Sequence, residues 1–189
     1  MKRTSQINYY GMGLSRTGTK SLYTAFDEMG FCSKHYMMGF DIKAIAKYDF
    51  MCDVPIPIHF EELDEAYPGS KFIYTIRDME PWLASCSYHL AKKKRVLRKH
   101  QFITRIALYG THKYEREKFM TVYKKHDDRV KAYFKDRPSD LLTIDICNGE
   151  GWDKLIPFVG EENIPAKNFS YDGKAFPHIN KGRKYTVVA

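Results

Sequence analysis

The chain has 189 residues, 43% of them apolar and 15% aromatic, which suits one domain with its own core and excludes a disordered tail. Its 31 Lys and Arg against 23 Asp and Glu give a net charge of +8. That balance favours anionic partners without choosing among nucleic acid, membrane surface and phosphorylated small molecules. Cys32, Cys52, Cys86 and Cys147 form no C-x-x-C pair, which argues against a zinc site or disulfide framework and for reduced thiols. The basic start, MKRTSQINYY, lacks the apolar stretch of a signal peptide, and no window approaches the roughly 20 apolar residues of a membrane span. A soluble, cytoplasmic protein is expected.

In chain order, the apolar run Ile7–Met12 reads as a strand, followed by a glycine-rich turn from Gly13 to Ser21. Leu22, Ala25, Phe26 and Met29 recur at i, i+3, i+4 and i+7, the period of an amphipathic helix, and Gly30 supplies its stop. Phe31–His35 and Phe50–Cys52 are short strand candidates, and Lys71–Ile76 (KFIYTI) is a clear one. A further helix is expected to begin near Pro81, a residue suited to a first helical position. Between Glu115 and Phe134, the residues Phe119, Tyr123, Val130 and Phe134 share one helical side. Leu141–Ile146 (LLTIDI) is the last strand, and from Gly160 the chain is rich in Gly, Pro and Asn and irregular. Apolar runs alternating with helical periods predict an α/β fold, a P-loop-type three-layer sandwich with a mostly parallel sheet flanked by helices. A single domain over 1–189 is expected, with an irregular tail over about 160–189. In such sheets ligands bind beyond the carboxyl ends of the strands.

The turn after Ile7–Met12 carries the chemistry of a phosphate cradle. Helix N-termini present unpaired N–H groups and partial positive charge. Gly18 permits close backbone approach, Thr17, Thr19 and Ser21 add hydroxyls, and Arg16 and Lys20 add charge. The pattern G-x-x-x-x-G-K-[ST] of ATP-binding loops is interrupted, because Thr19 stands between Gly18 and Lys20.

The stretch SRTGTKSL resembles the 5′-phosphosulfate loop of sulfotransferases that use 3′-phosphoadenosine 5′-phosphosulfate (PAPS), where the loop reads Lys-Ser/Thr-Gly-Thr-Thr or close to it. Arg16 stands at the usual Lys position, and the R-T-G-T-x-S-L form looks like that of a subgroup of short, mostly microbial sulfotransferase-like proteins. The resemblance implies that Ser15, Arg16, Thr17, Gly18, Thr19, Lys20 and Ser21 bind the cofactor. It also implies that Arg77 and Ser85, eight residues apart, bind its 3′-phosphate. Lys181, Gly182, Arg183 and Lys184 are similar to a Lys-Gly-Arg stretch that closes over the cofactor in heparan sulfate sulfotransferases. A Trp that stacks on adenine in cytosolic members aligns with Ser21, leaving Phe176 and Tyr185 as candidates for that contact. Trp82 reads as a packing residue.

Sulfuryl transfer needs a base to activate the acceptor. Asp53, directly after the Phe50–Cys52 strand, matches the place of a catalytic His before Leu-Pro in cytosolic sulfotransferases. His59 is the rival base and Glu61 a weaker one. Arg16 stays protonated and stabilises charge without donating a proton, so Lys20 is the alternative for the family's lysine. The expected activity moves a sulfuryl group from PAPS to a hydroxyl or amine, releasing adenosine 3′,5′-bisphosphate. The acceptor is a small molecule or glycan, and neither a metal nor a specific nucleic acid is expected. Two alternatives stand beside it. One is a small-molecule or nucleoside kinase using ATP and Mg²⁺, with Lys20, Ser21 and Asp145. The other is a non-catalytic anion- or nucleic-acid-binding module, supported by the basic run KKKRVLRKH.

Overall fold

The computed structural model describes residues 4–90 and 98–179. Five strands, β1 (Tyr9–Gly11), β2 (Ser33–His35), β3 (Phe50–Cys52), β4 (Lys71–Thr75) and β5 (Leu141–Ile144), form one parallel sheet in the order β2-β3-β1-β4-β5. Tyr9 is in register with Phe50 on one side and Lys71 on the other, so β1 is central. The α/β sandwich expected from the alternating pattern is the observed architecture, and all described strand pairs are parallel.

Seven helices connect and flank the described strands: α1 (Thr19–Glu28), α2 (Ile42–Ile45), α3 (Ile56–Ala66), α4 (Met79–Leu90), α5 (Lys99–Tyr109), α6 (Arg116–Tyr133) and α7 (Trp152–Val159). The expected helix near Pro81 starts two residues earlier, at Met79, because the Asp78 carbonyl already accepts Trp82 N–H at 2.9 Å. Pro81 still falls in the first turn, where its missing N–H costs nothing. Helices α2, α3, α5 and α7 lay outside the sequence expectation.

Both faces of the sheet are covered at its centre, which is why β1, β3 and β4 read as largely apolar runs, while the edge strand β2 (Ser33–His35) is polar. Successive residues point to opposite faces. Tyr9, Phe50 and Ile73 join Leu22, Phe26 and Met29 of α1 and Leu155 and Ile156 of α7 in one core. Tyr10, Met51 and Phe72 join Phe60 and Leu63 of α3 and Val130 of α6 in the other. A third cluster, Leu14, Trp82, Leu83, Cys86, Tyr109 and Phe119, binds α4, α5 and α6 to the turn that follows β1. That cluster builds a wall over the carboxyl end of the sheet. No described helix is long and apolar enough to cross a membrane.

Candidate active site

The turn after β1 is pinned before it meets any ligand. A Cβ on Gly13 would collide with the side chain and carbonyl of Thr75, so only glycine lets the turn lie against β4. Thr17 is buried, and its hydroxyl donates to the Leu14 carbonyl at 2.6 Å and contacts the Thr75 hydroxyl at 2.7 Å. Gly18, with φ of 102°, caps α1 without a side-chain acceptor, and the first turn of α1 holds no acidic residue. The positive end of this 10-residue helix therefore carries no acidic residue or side-chain cap of its own.

Arg77 and Ser85 converge on the same turn. Arg77 leaves the end of β4 and donates Nη1–H to the Arg16 carbonyl at 3.3 Å, while Arg16 donates Nε–H to the Ser85 hydroxyl at 3.0 Å. The Arg77 backbone carbonyl accepts the Tyr123 hydroxyl at 2.6 Å, which ties β4 to α6. Ser85 is fully buried behind Arg16 and is not among the residues lining the cavity, whereas Arg16 and Arg77 are. Trp82 is also fully buried, with its indole N–H on the Ser15 carbonyl at 3.0 Å, so it packs the turn from beneath.

These groups open into a cavity of about 400 Å³. Ser15, Arg16, Gly18, Thr19, Lys20, Ser21 and Arg77 line its cationic side. Leu90, Leu108, Tyr109 and Phe119 also line it, along with Gln101, Thr104 and Arg105 of α5. Cys86 and Cys147 are among its lining residues too. Burial pushes the Cys86 thiol up to about 12 even with Arg16 and Arg77 nearby, so it stays protonated.

Asp53 stands at the carboxyl end of β3, buried, in the cavity wall. Its Oδ1 accepts the Ser15 hydroxyl at 2.7 Å and the Val54 N–H at 2.8 Å. Its Oδ2 lies 3.3 Å from the Thr19 hydroxyl and 3.4 Å from His35 Nε2. Among the described residues, the non-glycine positions with left-handed backbone are Arg16 (φ 81°), Tyr36 (φ 69°) and Asp53 (φ 64°). All three line this cavity. Such strain costs of order 1–3 kcal/mol per residue and collects at functional sites.

Several predicted residues lie elsewhere. His59 stacks on Phe40 at 3.9 Å and pairs with Glu62 at 3.1 Å, and it is not among the cavity-lining residues. Glu61 takes two hydrogen bonds from Arg129, which hold its carboxyl below the usual range, and it too is off the cavity. Asp145 caps the turn Ile146–Asn148 by accepting Asn148 N–H at 3.0 Å, and burial raises its pKa. Phe176 packs on Trp152 at 4.7 Å. The tail reaches the site through His178 and Ile179, whose N–H meets the Ser21 hydroxyl at 3.0 Å. Lys181, Gly182, Arg183, Lys184 and Tyr185 lie outside the described residues, as does most of the basic run Lys92–His100.

Two groups escaped sequence reasoning. His35 ends β2 and enters the cavity beside Asp53. Its signal was the one that exposed Asp53, a polar residue closing a short strand on the ligand-binding edge. Helix α5 carried no clear signal, because its cavity-lining residues are mostly polar while Phe102, Ile103 and Ile106 face outward.

A glycine-bearing turn opening a helix, two arginines joined across it and a buried carboxylate thus meet in one cavity at the carboxyl end of a parallel α/β sheet. The chain belongs to the sulfotransferase domain family, whose model matches residues 39–185. The match includes Asp53, Arg77 and Ser85 and begins beyond the turn at 13–21. The chain is also similar to "Ava biosynthesis cluster protein M" of Aspergillus versicolor, at 31% identity, with 39% of this chain and 39% of that protein covered.

Proposed function

We propose that the protein transfers a sulfuryl group from PAPS to a hydroxyl or amine of a small-molecule or glycan acceptor, working as the single domain its unbroken sheet suggests. The observation that carries this reading is the junction of Arg77, Arg16 and Ser85, which brings a second cationic centre to the helix-capping turn inside one cavity. One phosphate at the turn and a second at Arg77 suit a bisphosphate nucleotide.

The residues present fit that cofactor. The uncapped N-terminus of α1, the hydroxyls of Ser15, Thr19 and Ser21, and the cations of Arg16 and Lys20 would hold the 5′ end. Arg77 would hold the 3′-phosphate, gripping it with parallel donors. Ser85 supports this indirectly, by fixing the guanidinium of Arg16. PAPS, when bound, supplies the sulfuryl group and a phosphate leaving group. Arg16 and Lys20 then stabilise charge growing on that phosphate side. Removal of the acceptor's proton falls to the acid–base centre built on Asp53. The side formed by Leu90, Leu108, Tyr109 and Phe119 receives the acceptor.

The test is thermal stabilisation by adenosine 3′,5′-bisphosphate without Mg²⁺, set against ATP with Mg²⁺. A clear rise in Tm with the bisphosphate alone is expected, since a ligand that binds the folded state stabilises it. Preference for ATP with Mg²⁺ would move the assignment to a kinase. In that reading Asp145 would have to leave its turn-capping contact with Asn148.

A further inference from the structure

Asp53 is surrounded as an anchor is surrounded. A carboxylate offers about four lone-pair directions. Here the Ser15 hydroxyl and Val54 N–H face Oδ1, and the Thr19 hydroxyl and His35 Nε2 face Oδ2. Three hydrogen bonds and the facing imidazole thus crowd the carboxylate, and a proton arriving from an acceptor would have to displace one of these contacts.

The ring opposite is differently placed. His35 ends β2, the strand beside β3, with 26% of its side chain exposed. Its Nε2 hydrogen-bonds the Thr19 hydroxyl at 3.3 Å, and that hydroxyl in turn donates to Asp53 Oδ2, which stands 3.4 Å from the same nitrogen, so the carboxylate's charge faces the Nε2 side of the ring. Among the described residues Nδ1 has no hydrogen-bond partner, and the ring lines the cavity. The titratable groups facing it are Asp53 and Cys52 on β3, and Lys20 and Tyr23 on α1, the Tyr23 ring at 5.9 Å. Burial, the largest influence, lowers the His35 pKa, Asp53 raises it and Lys20 lowers it. The ring is thus neutral at pH 7.

We propose that His35 takes the acceptor's proton through Nδ1, with Asp53 orienting the ring and stabilising its charged form through Nε2. The inference rests on the sulfotransferase reading above. In the step, the acceptor's O–H or N–H bond would break and its electron pair would form the bond to the donor's sulfur, while the sulfur–oxygen bond to the 5′-phosphate breaks and leaves its electrons on that phosphate. The proton becomes the second ring N–H, and the exposed edge of the imidazolium returns it to solvent.

Three measurements on the full chain test this. Bisphosphate affinity should be the same in wild type and His35→Asn, which also shows that the variant folds. Turnover of His35→Asn should fall roughly 100-fold or more. The acidic limb of its kcat/KM profile, where wild-type activity rises as the ring loses its proton, should vanish. By NMR of histidine ¹³Cε1 in the free protein, His35 should titrate below the ordinary histidine range, and lower still in Asp53→Asn.

The outcomes separate cleanly. A wild-type chain that does not bind the bisphosphate overturns the sulfotransferase reading, and the role of His35 with it. Wild-type binding together with an unchanged rate and acidic limb in His35→Asn overturns His35 alone. So does a His35 titration that ignores Asp53→Asn.

Discussion

Strand β3 is bracketed by two buried aspartates that do opposite things. Asp49, at its amino end, is 0% exposed and accepts the N–H groups of Thr4, Ser5 and Cys32 and the Thr4 hydroxyl. Its partners are mostly backbone, drawn from the N-terminal arm and the entry to β2. It is a clamp. Asp53, four residues on, is nearly as buried, but its partners are the side chains of Ser15, Thr19 and His35 around a cavity. Its backbone is left-handed, with φ of 64°. Burial and hydrogen-bond number do not distinguish the two. Partner type, backbone strain and the end of the sheet do, because crevices in parallel α/β sheets open at the carboxyl ends of the strands.

Substitution should separate the pair. Asp53→Asn keeps the shape but loses the charge, and turnover should drop roughly 10²- to 10⁴-fold while bisphosphate affinity stays near wild type. Steady-state kinetics beside calorimetric titration checks both halves. Near-normal turnover in Asp53→Asn would make the carboxylate at this end of β3 as structural as Asp49. Asp49→Ala should do the reverse. It strands the buried Cys32 N–H and the part-buried N–H groups of Thr4 and Ser5, at about 3 kcal/mol of stability. Urea denaturation should show that loss, while kcat measured on the folded variant stays unchanged.

How much of this was legible in the sequence follows the same divide. The sheet was most legible where strands are apolar runs, at β1, β4 and β5, whereas Phe50–Cys52 and the polar Ser33–His35 were short candidates. The convergence of the 13–21 turn with Arg77 and Ser85 was legible because these residues sit in two short local patterns, the turn itself and Arg77 eight residues before Ser85. What a local pattern does not encode is contact between distant segments. Asp49 gathers Thr4 and Cys32, and Asp53 gathers Ser15 and His35. The same limit explains His59, which stood out by being near Asp53 in sequence. A kink at His59, where φ is −121°, lies within α3, and the ring goes to Phe40 and Glu62. Ser85 was read as a phosphate ligand, and only the fold shows Arg16 lying across it.

The joined arginines sharpen the contrast between binding and chemistry. Arg77→Ala removes a charged donor from the cavity and the hydrogen bond that supports the Arg16 carbonyl. Bisphosphate affinity should weaken about 10- to 100-fold, the scale of one charge-assisted hydrogen-bond set. The pH dependence of the remaining turnover should keep its wild-type shape, because the acid–base groups lie on β2 and β3. Titration calorimetry and a pH–rate profile on one preparation test this, and a shifted acidic limb would mean that Arg77 acts on the base as well as on the nucleotide.

The smallest effect separates two histidines whose pKa values move the same way. His126 is buried on α6, donates from Nε2 to the Met12 carbonyl at 2.8 Å, and has its pKa lowered chiefly by burial. A folded-state pKa below the unfolded value means that the unfolded chain takes up the proton more readily. The stability contributed by neutral His126 is therefore complete above about pH 6.5 and is lost as pH falls from there toward the folded pKa. In His126→Gln, which can still donate to Met12, that pH-dependent loss should flatten by about 1 kcal/mol or less in urea denaturation between pH 7 and 5. The acidic limb of kcat/KM should stay where it is, because the His126 ring is enclosed beneath the sheet edge and is not among the residues lining the cavity. If His126→Gln moved the rate profile and His35→Asn moved only stability, the roles assigned to buried and cavity-facing histidines at this end of the sheet would be reversed.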